Sequence, residues 1–157
     1  MDDSNRQRKI YTPLQARRKA ESYCAYQERA QQEVRDKLYE WGLHQNDVEN
    51  IIVQLIEDNF LNEERFAKAF ALGKFRMKGW GKIKIRMHLK AKQVSEPLIR
   101  IALKEIDLDD YEQKLEEIMA KKAVKPLQQL SFTEKAKLVT YVQSRGFERE
   151  LIFEKLK

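Results

Sequence analysis

The sequence predicts an all-α fold, an elongated arc of three tandem three-helix repeats with about nine helices. Three observations carry this. Only five Gly and three Pro punctuate 157 residues, too few for a turn-rich β fold. Apolar residues recur at the three-to-four spacing of helices that bury one face. One helix-stop pattern also recurs along the chain. Leu38 is followed by Gly42-Leu43, Leu89 by Gln93-Val94 and Val142 by Gly146-Phe147, and these anchors lie 51 and 53 residues apart. A unit of that size buries too little surface alone, so neighbours must stack. The implied organisation is a disordered, mildly basic arm over 1–11 and repeats over 12–61, 62–107 and 108–157.

The elements follow in order. Thr12-Pro13 starts a helix that runs through Tyr23, with Thr as cap and Pro in the first turn. A second helix spans Glu28 to Glu40, carries Val34, Leu38 and Trp41 on one face, and stops at Gly42. Asn46 or Asp47 caps a third, with Val48, Ile51, Ile52, Leu55 and Ile56. Asn62 caps the next, Glu63 and Glu64 complement its N-terminus, and Phe66, Phe70 and Met77 form its stripe. After a break at Lys78-Gly79-Trp80-Gly81, the segment Lys82 to Lys92 alternates strictly between apolar and basic residues, a strand pattern. With no second strand to pair with it, a helix is preferred, with Ile85 and Leu89 on one face and Ile83 and Met87 on another, packed between two neighbours. Ser95 caps a helix with Pro97 in its first turn and Leu98, Ile101, Ala102 and Ile106 as its apolar positions. Asp109 starts another, with Tyr111, Leu115, Ile118 and Met119. Ser131 or Thr133 caps the next, ending at Gly146, and Glu148 to Lys157 closes the chain.

Charge is the most informative chemical feature. Ten of the 31 basic residues lie between Arg65 and Lys92, and no acidic residue occurs between Glu64 and Glu96. The remainder holds 21 basic against 25 acidic residues, so the net +6 arises entirely in this segment. Such clustering costs self-repulsion and adds nothing to a core, and an anionic partner, most often nucleic acid, explains it. On a helix, Lys82, Arg86 and Lys90 fall at i, i+4 and i+8 and form one cationic line, while Lys84 and Lys92 point elsewhere. Lys74, Arg76 and Lys78 extend the line across the break. The alternative is a solvated face. Trp80, between two glycines, is either a stacking platform or interface anchor, or an aromatic plug between helices. The flanking glycines favour the plug.

Other classes find little support. His44 and His88, the only histidines, lack metal-ligand spacing, so no metal or cofactor is expected. Cys24 has no nearby His to make it a nucleophile and reads as a small core residue. No phosphate loop or G-x-G-x-x-G is present, and acidic pairs such as Asp109-Asp110 and Glu116-Glu117 read as caps and solvated faces. No catalytic residue is assigned. A single cysteine fits a reducing compartment, no apolar run reaches the roughly 18 residues of a bilayer span, and Met1 to Lys9 lacks an apolar signal region. A cytoplasmic protein with no membrane or small-molecule partner is expected.

Phe60-Leu61-Asn62-Glu63-Glu64-Arg65-Phe66-Ala67, with Ala69-Phe70, a basic helix end, Gly81, and Ile85, Leu89, Lys92 and Val94, resembles the RecX family, bacterial regulators of the RecA recombinase. About 35 residues carry the resemblance. Gln93 stands where the family commonly has Gly, which should weaken the helix stop. The resemblance implies a non-enzymatic modulator or inhibitor of RecA that lies in the groove of the RecA–DNA filament, contacts single- or double-stranded DNA, and controls homologous recombination and the SOS response. The residues alone also admit a free-standing nucleic-acid-binding repeat protein or a scaffold for another helix.

Overall fold

The computed structural model describes residues 10–157, so the arm expected over 1–11 lies almost entirely outside the described residues. Nine α-helices and one short 3-10 turn at Leu127–Gln129, with no strand, make up the described residues: α1 Pro13–Tyr26, α2 Gln31–Glu40, α3 Gln45–Glu57, α4 Glu63–Lys78, α5 Lys82–Ala91, α6 Glu96–Lys104, α7 Leu108–Lys122, α8 Phe132–Ser144 and α9 Arg149–Leu156. The all-α expectation holds, and the alternating Lys82–Lys92 segment is helical. The chain divides into two compact units, Met1–Phe66 and Ala67–Lys157.

In the first unit, α1, α2 and α3 pack on one another. The Thr12 hydroxyl accepts from the Gln15 N–H (3.2 Å) and the Gln15 side chain accepts from the Thr12 N–H (3.0 Å). This reciprocal cap satisfies donors that a bare helix end leaves orphaned. Small residues Ala16, Ala20 and Cys24 then bury one stripe of α1 against Val34, Leu38, Val48, Ile52 and Leu55. Trp41 is half-buried against this core, and the Tyr11 ring meets it edge-on at 6.1 Å. Helix α2 starts at Gln31, later than expected, because the preceding residues are tied elsewhere. Glu28 pairs with Arg65 Nε (2.6 Å), and Arg29 donates to the Tyr23 carbonyl (2.9 Å). Neither Asn46 nor Asp47 caps α3; His44 takes the cap position by backbone conformation alone, without a side-chain bond.

The recurrent helix stop has a common geometry. Gly42, Gln93 and Gly146 all adopt positive φ (88°, 64° and 97°). At α2 and α5 the next residue folds back: Leu43 N–H donates to the Leu38 carbonyl (3.3 Å) and Val94 N–H to the Leu89 carbonyl (3.1 Å). The apolar pair across each stop, Leu38 with Leu43, Leu89 with Val94 and Val142 with Phe147, is buried. This is the six-to-one Schellman closure with its apolar clasp. Gln93 completes it despite a Cβ that disfavours the left-handed region. Asn59 (φ 64°) and Phe60, whose N–H donates to the Leu55 carbonyl (2.9 Å), close α3 the same way.

In the second unit, α5 packs on α6, α7 on α8, and α8 on α9. Three expectations need correcting. Met77 is 84% exposed and Phe75, two residues earlier, is the buried residue near the end of α4. Ile83 and Met87 are 47% and 63% exposed, so α5 buries only the Ile85 and Leu89 stripe and not two faces. Helix α7 begins at Leu108, capped by Asp107, whose Oδ2 accepts from the Asp110 N–H (3.0 Å); Asp109 lies within its first turn. Ser131, and not Thr133, caps α8, accepting from the Glu134 N–H (3.1 Å).

Candidate anion-binding surface

The turn between α4 and α5 organises the basic residues of the second unit. Gly81 N–H donates to the Arg145 carbonyl (2.8 Å) and Ile83 N–H to the Gly146 carbonyl (3.0 Å). A Cβ on Gly81 would collide with the Gly146 backbone, so two glycines are what let these turns touch. Arg145 also donates through Nη2 to the Lys78 carbonyl at the end of α4, and its Nε is buried with no partner among the described residues. Beneath the turn, the Tyr111 hydroxyl accepts from the Lys82 N–H (3.0 Å) and donates to Glu148 Oε1. Burial, and then the Glu148 hydrogen bond, push the Tyr111 hydroxyl's pKa well above its ordinary value. The phenol stays protonated and serves as a fixed strut.

Trp80 is half-buried within an aromatic and cationic cluster. Its ring lies edge-on to Phe70 at 6.4 Å and 4.4 Å from the His88 ring. Lys84 and Lys74 ammonium groups sit 4.7 and 5.1 Å from its centre, and Lys92 sits 5.9 Å from that of Phe70. Trp80 therefore fills the space between α4 and α5 while keeping two cations against its ring. Burial, with Lys84, Lys74 and Lys92 nearby, lowers the His88 pKa below its ordinary value, which leaves the imidazole neutral at pH 7.

The line of Lys82, Arg86 and Lys90 is largely occupied. Arg86 pairs with Glu96, Lys90 Nζ is 3.5 Å from the same carboxylate, and Lys82 Nζ lies 4.8 Å from the Tyr111 ring centre. Glu96 marks the end of the acid-free stretch, and the α5–α6 turn brings it back onto α5. Lys84 and Lys92, set aside by the helical wheel, instead join Lys74 around Trp80 and Phe70.

Arg76 and Lys78 face a different neighbourhood. They line a concavity of about 490 Å³ with Lys114, Lys121 and Lys122 of α7 and with Tyr141 and Arg145 of α8 and its cap. Glu117 is the one carboxylate among its lining residues, and it is engaged by the Gln113 amide (3.2 Å). Sequence reasoning missed the α7 and α8 cations because acids are interspersed with them, so an acid-free run does not reveal them.

Among the described residues, no group of three or more His, Cys, Asp or Glu side chains could hold a metal. Burial, the dominant influence, pushes the Cys24 thiol up to about 11, so it carries almost no thiolate at pH 7. No helix of the described residues is long and apolar enough to cross a membrane.

Comparison with known proteins agrees with this architecture. Residues 16–55 match the sequence profile of the RecX first three-helix domain, and residues 62–103 that of the RecX second three-helix domain. Regulatory protein RecX of Vibrio campbellii is 32% identical over 143 residues, covering 88% of this chain and 90% of that protein. Its counterpart from Vibrio parahaemolyticus is 33% identical over 115 residues, covering 73% of this chain and 72% of that protein. The crystal structure of RecX from Lactobacillus salivarius superposes with a TM-score of 0.81 at 21% identity, covering 92% of this chain and 96% of that one. The chain belongs to the RecX family of regulatory proteins.

Proposed function

We propose that this protein modulates the RecA recombinase by binding the RecA–DNA filament, and so controls homologous recombination and the SOS response in the cytoplasm. Family membership supports a regulatory role. The observation that carries the anionic partner is the α4–α5 surface, where Lys74 and Lys84 are held against Trp80 without a carboxylate partner, inside the segment matching the second three-helix domain. Lys74, Arg76, Lys78, Lys82, Lys84 and Trp80 are the proposed contacts. Arg86 and Lys90, tied to Glu96, contribute less. No step of the proposal needs catalysis by this chain.

The test is RecA ATP turnover on single-stranded DNA across a salt series, with and without the protein. The wild-type chain should lower turnover, more strongly at low salt. K74E/K84E should raise the half-inhibitory concentration by about tenfold or more, because two reversed charges at an interface weaken association and its salt dependence together. Turnover unaffected by the wild-type protein at every salt concentration overturns the proposal. Tight binding to bare DNA with no effect on RecA would favour a free-standing nucleic-acid-binding protein.

A further inference from the structure

We infer that the concavity between the end of α4 and helices α7 and α8 is a second anion site, one that takes the phosphodiester backbone of a single nucleic-acid strand. This rests on the reading that the protein works on a DNA-bound filament, and it extends the contact from Arg76 and Lys78 of the basic segment to Lys114, Lys121, Lys122 and Arg145, which lie outside it.

The first argument is convergence. Arg76, Lys78, Lys114, Lys121, Lys122 and Arg145 come from three separate elements and line one concavity with a single carboxylate, Glu117. Cations gathered this way repel one another unless an anion sits among them. The second is lack of pairing. Among the described residues, Arg76, Lys78 and Lys121 make no ion pair, although Glu112 and Glu116 on the same helix α7 are both engaged by Lys155 (3.2 and 2.7 Å). Acids adjacent in sequence are thus drawn to another face, and the concavity stays cationic. The third is rigidity. Arg145 is held by its bond to the Lys78 carbonyl, and both flanking turns are pinned through Gly81 and Gly146. A site fixed before binding loses less conformational freedom when it binds.

The chemistry selects a single strand. A duplex can bring a phosphate to the mouth of this concavity of about 490 Å³, but its bases stay stacked inside the helix and out of reach of Tyr141 and Met77. A single strand can place a phosphate there and lay a base against Tyr141 or the exposed Met77, the combination of cationic groove and apolar platform that single strands use. Lys122 Nζ, 4.6 Å from the Tyr141 ring centre, already joins the two features.

The test is fluorescence anisotropy of the full-length chain with a mixed-sequence single-stranded oligonucleotide and the matching blunt duplex, over a salt series and without RecA. In R76Q/K121Q/K122Q all three changes fall on exposed side chains, and far-UV circular dichroism checks that the fold is kept. Its single-strand affinity should fall about 30-fold at low salt, and the slope of log K against log salt should drop by about 2, at ~0.7 per lost phosphate contact. K37Q, which breaks only an exposed pair with Glu40 in the first unit, should change neither by much. Unchanged affinity and slope in the triple variant, or absence of oligonucleotide binding by the wild type, overturns the inference. Equal losses on duplex and single strand overturn the single-strand assignment. Displacement of the oligonucleotide by an equimolar poly-glutamate peptide assigns the cleft to an acidic protein segment and overturns it. If the oligonucleotide binds as expected but RecA turnover is unaffected by the wild type, the cleft stands and the regulatory reading fails.

Discussion

The two units treat their positive charges differently. In the first, the described cations are almost all engaged within the unit. Arg17 pairs with Glu21 and Asp58, Arg35 with Glu49, Lys37 with Glu40 and Arg65 with Glu28, while Lys19 and Arg29 lie against Tyr11 and Tyr23. In the second, Lys74 and Lys84 flank an indole, and Arg76, Lys78 and Lys121 border a concavity without a carboxylate partner. The first unit holds 10 basic against 13 acidic residues, so its cations close on carboxylates internally and the unit is net acidic. A unit that leaves them open keeps a standing field for an external anion, at some cost in its own stability. Charge counting puts the excess in the second unit, 21 basic against 12 acidic residues; pairing shows which side chains exert it.

Three experiments bear on this contrast. The largest effect should come from the glycines. G81A drives a Cβ into the Gly146 backbone, where no flexible side chain can give way, and should cost about 2–3 kcal/mol of unfolding free energy. G42A, at φ 88° but facing only the Ile10 side chain, should cost about 1 kcal/mol. Equal costs in urea titrations would mean that the turn crossing is no tighter than an ordinary helix stop. The second experiment compares charges directly. R35Q removes the hydrogen-bonded partner that lowers the Glu49 pKa and should cost about 0.5–1 kcal/mol. R76Q/K121Q should leave the melting temperature unchanged or raise it, because it relieves repulsion. A drop in melting temperature for the second variant matching the first would erase the distinction between the units. The smallest effect is on pH dependence. The folded state holds the His88 pKa below its ordinary 6.5, so the unfolded chain binds the proton more readily. Stability contributed there is present above about pH 6.5 and declines as pH falls through that value. H88Q should flatten this slope, measured by thermal unfolding between about pH 5 and 7.5.

What the sequence revealed was local, and what it concealed was not. Leu38-Gly42-Leu43 and Leu89-Gln93-Val94 marked helix stops correctly because a Schellman closure is encoded within six consecutive residues, and at Val142-Gly146-Phe147 the positive φ of Gly146 and the buried apolar pair mark the stop. Thr12 and Ser131 were readable as caps for the same reason. His44 was not, because it caps through backbone angles and has no side-chain bond to announce it. Met77 was misplaced because a spacing of seven from Phe70 fits a helical stripe, whereas the stripe that packing buries runs through Ala67, Ala71 and Phe75 at spacings of four. The line of Lys82, Arg86 and Lys90 was drawn correctly on α5, yet Glu96 reaches it only after the chain turns into α6. The cleft was least visible, since Lys78 and Arg145 are 67 residues apart and meet through a carbonyl that no side-chain pattern reports.

The contact between Gly81 and Gly146 also sets a limit on how the chain can be divided. The segment matched to the second three-helix domain, residues 62–103, contains Gly81 but neither its hydrogen-bond acceptor at Arg145 nor Tyr111, which holds the Lys82 amide. Cut out at those bounds, it would have a frayed hinge at Trp80 and a wet underside beneath α5. Similarity in sequence recurs with a period near fifty residues, whereas the compact unit that contains both turns runs from Ala67 to Lys157. A side chain or an inserted residue at either the α4–α5 or the α8–α9 turn would meet the backbone of the other, so each turn limits what the other can accommodate.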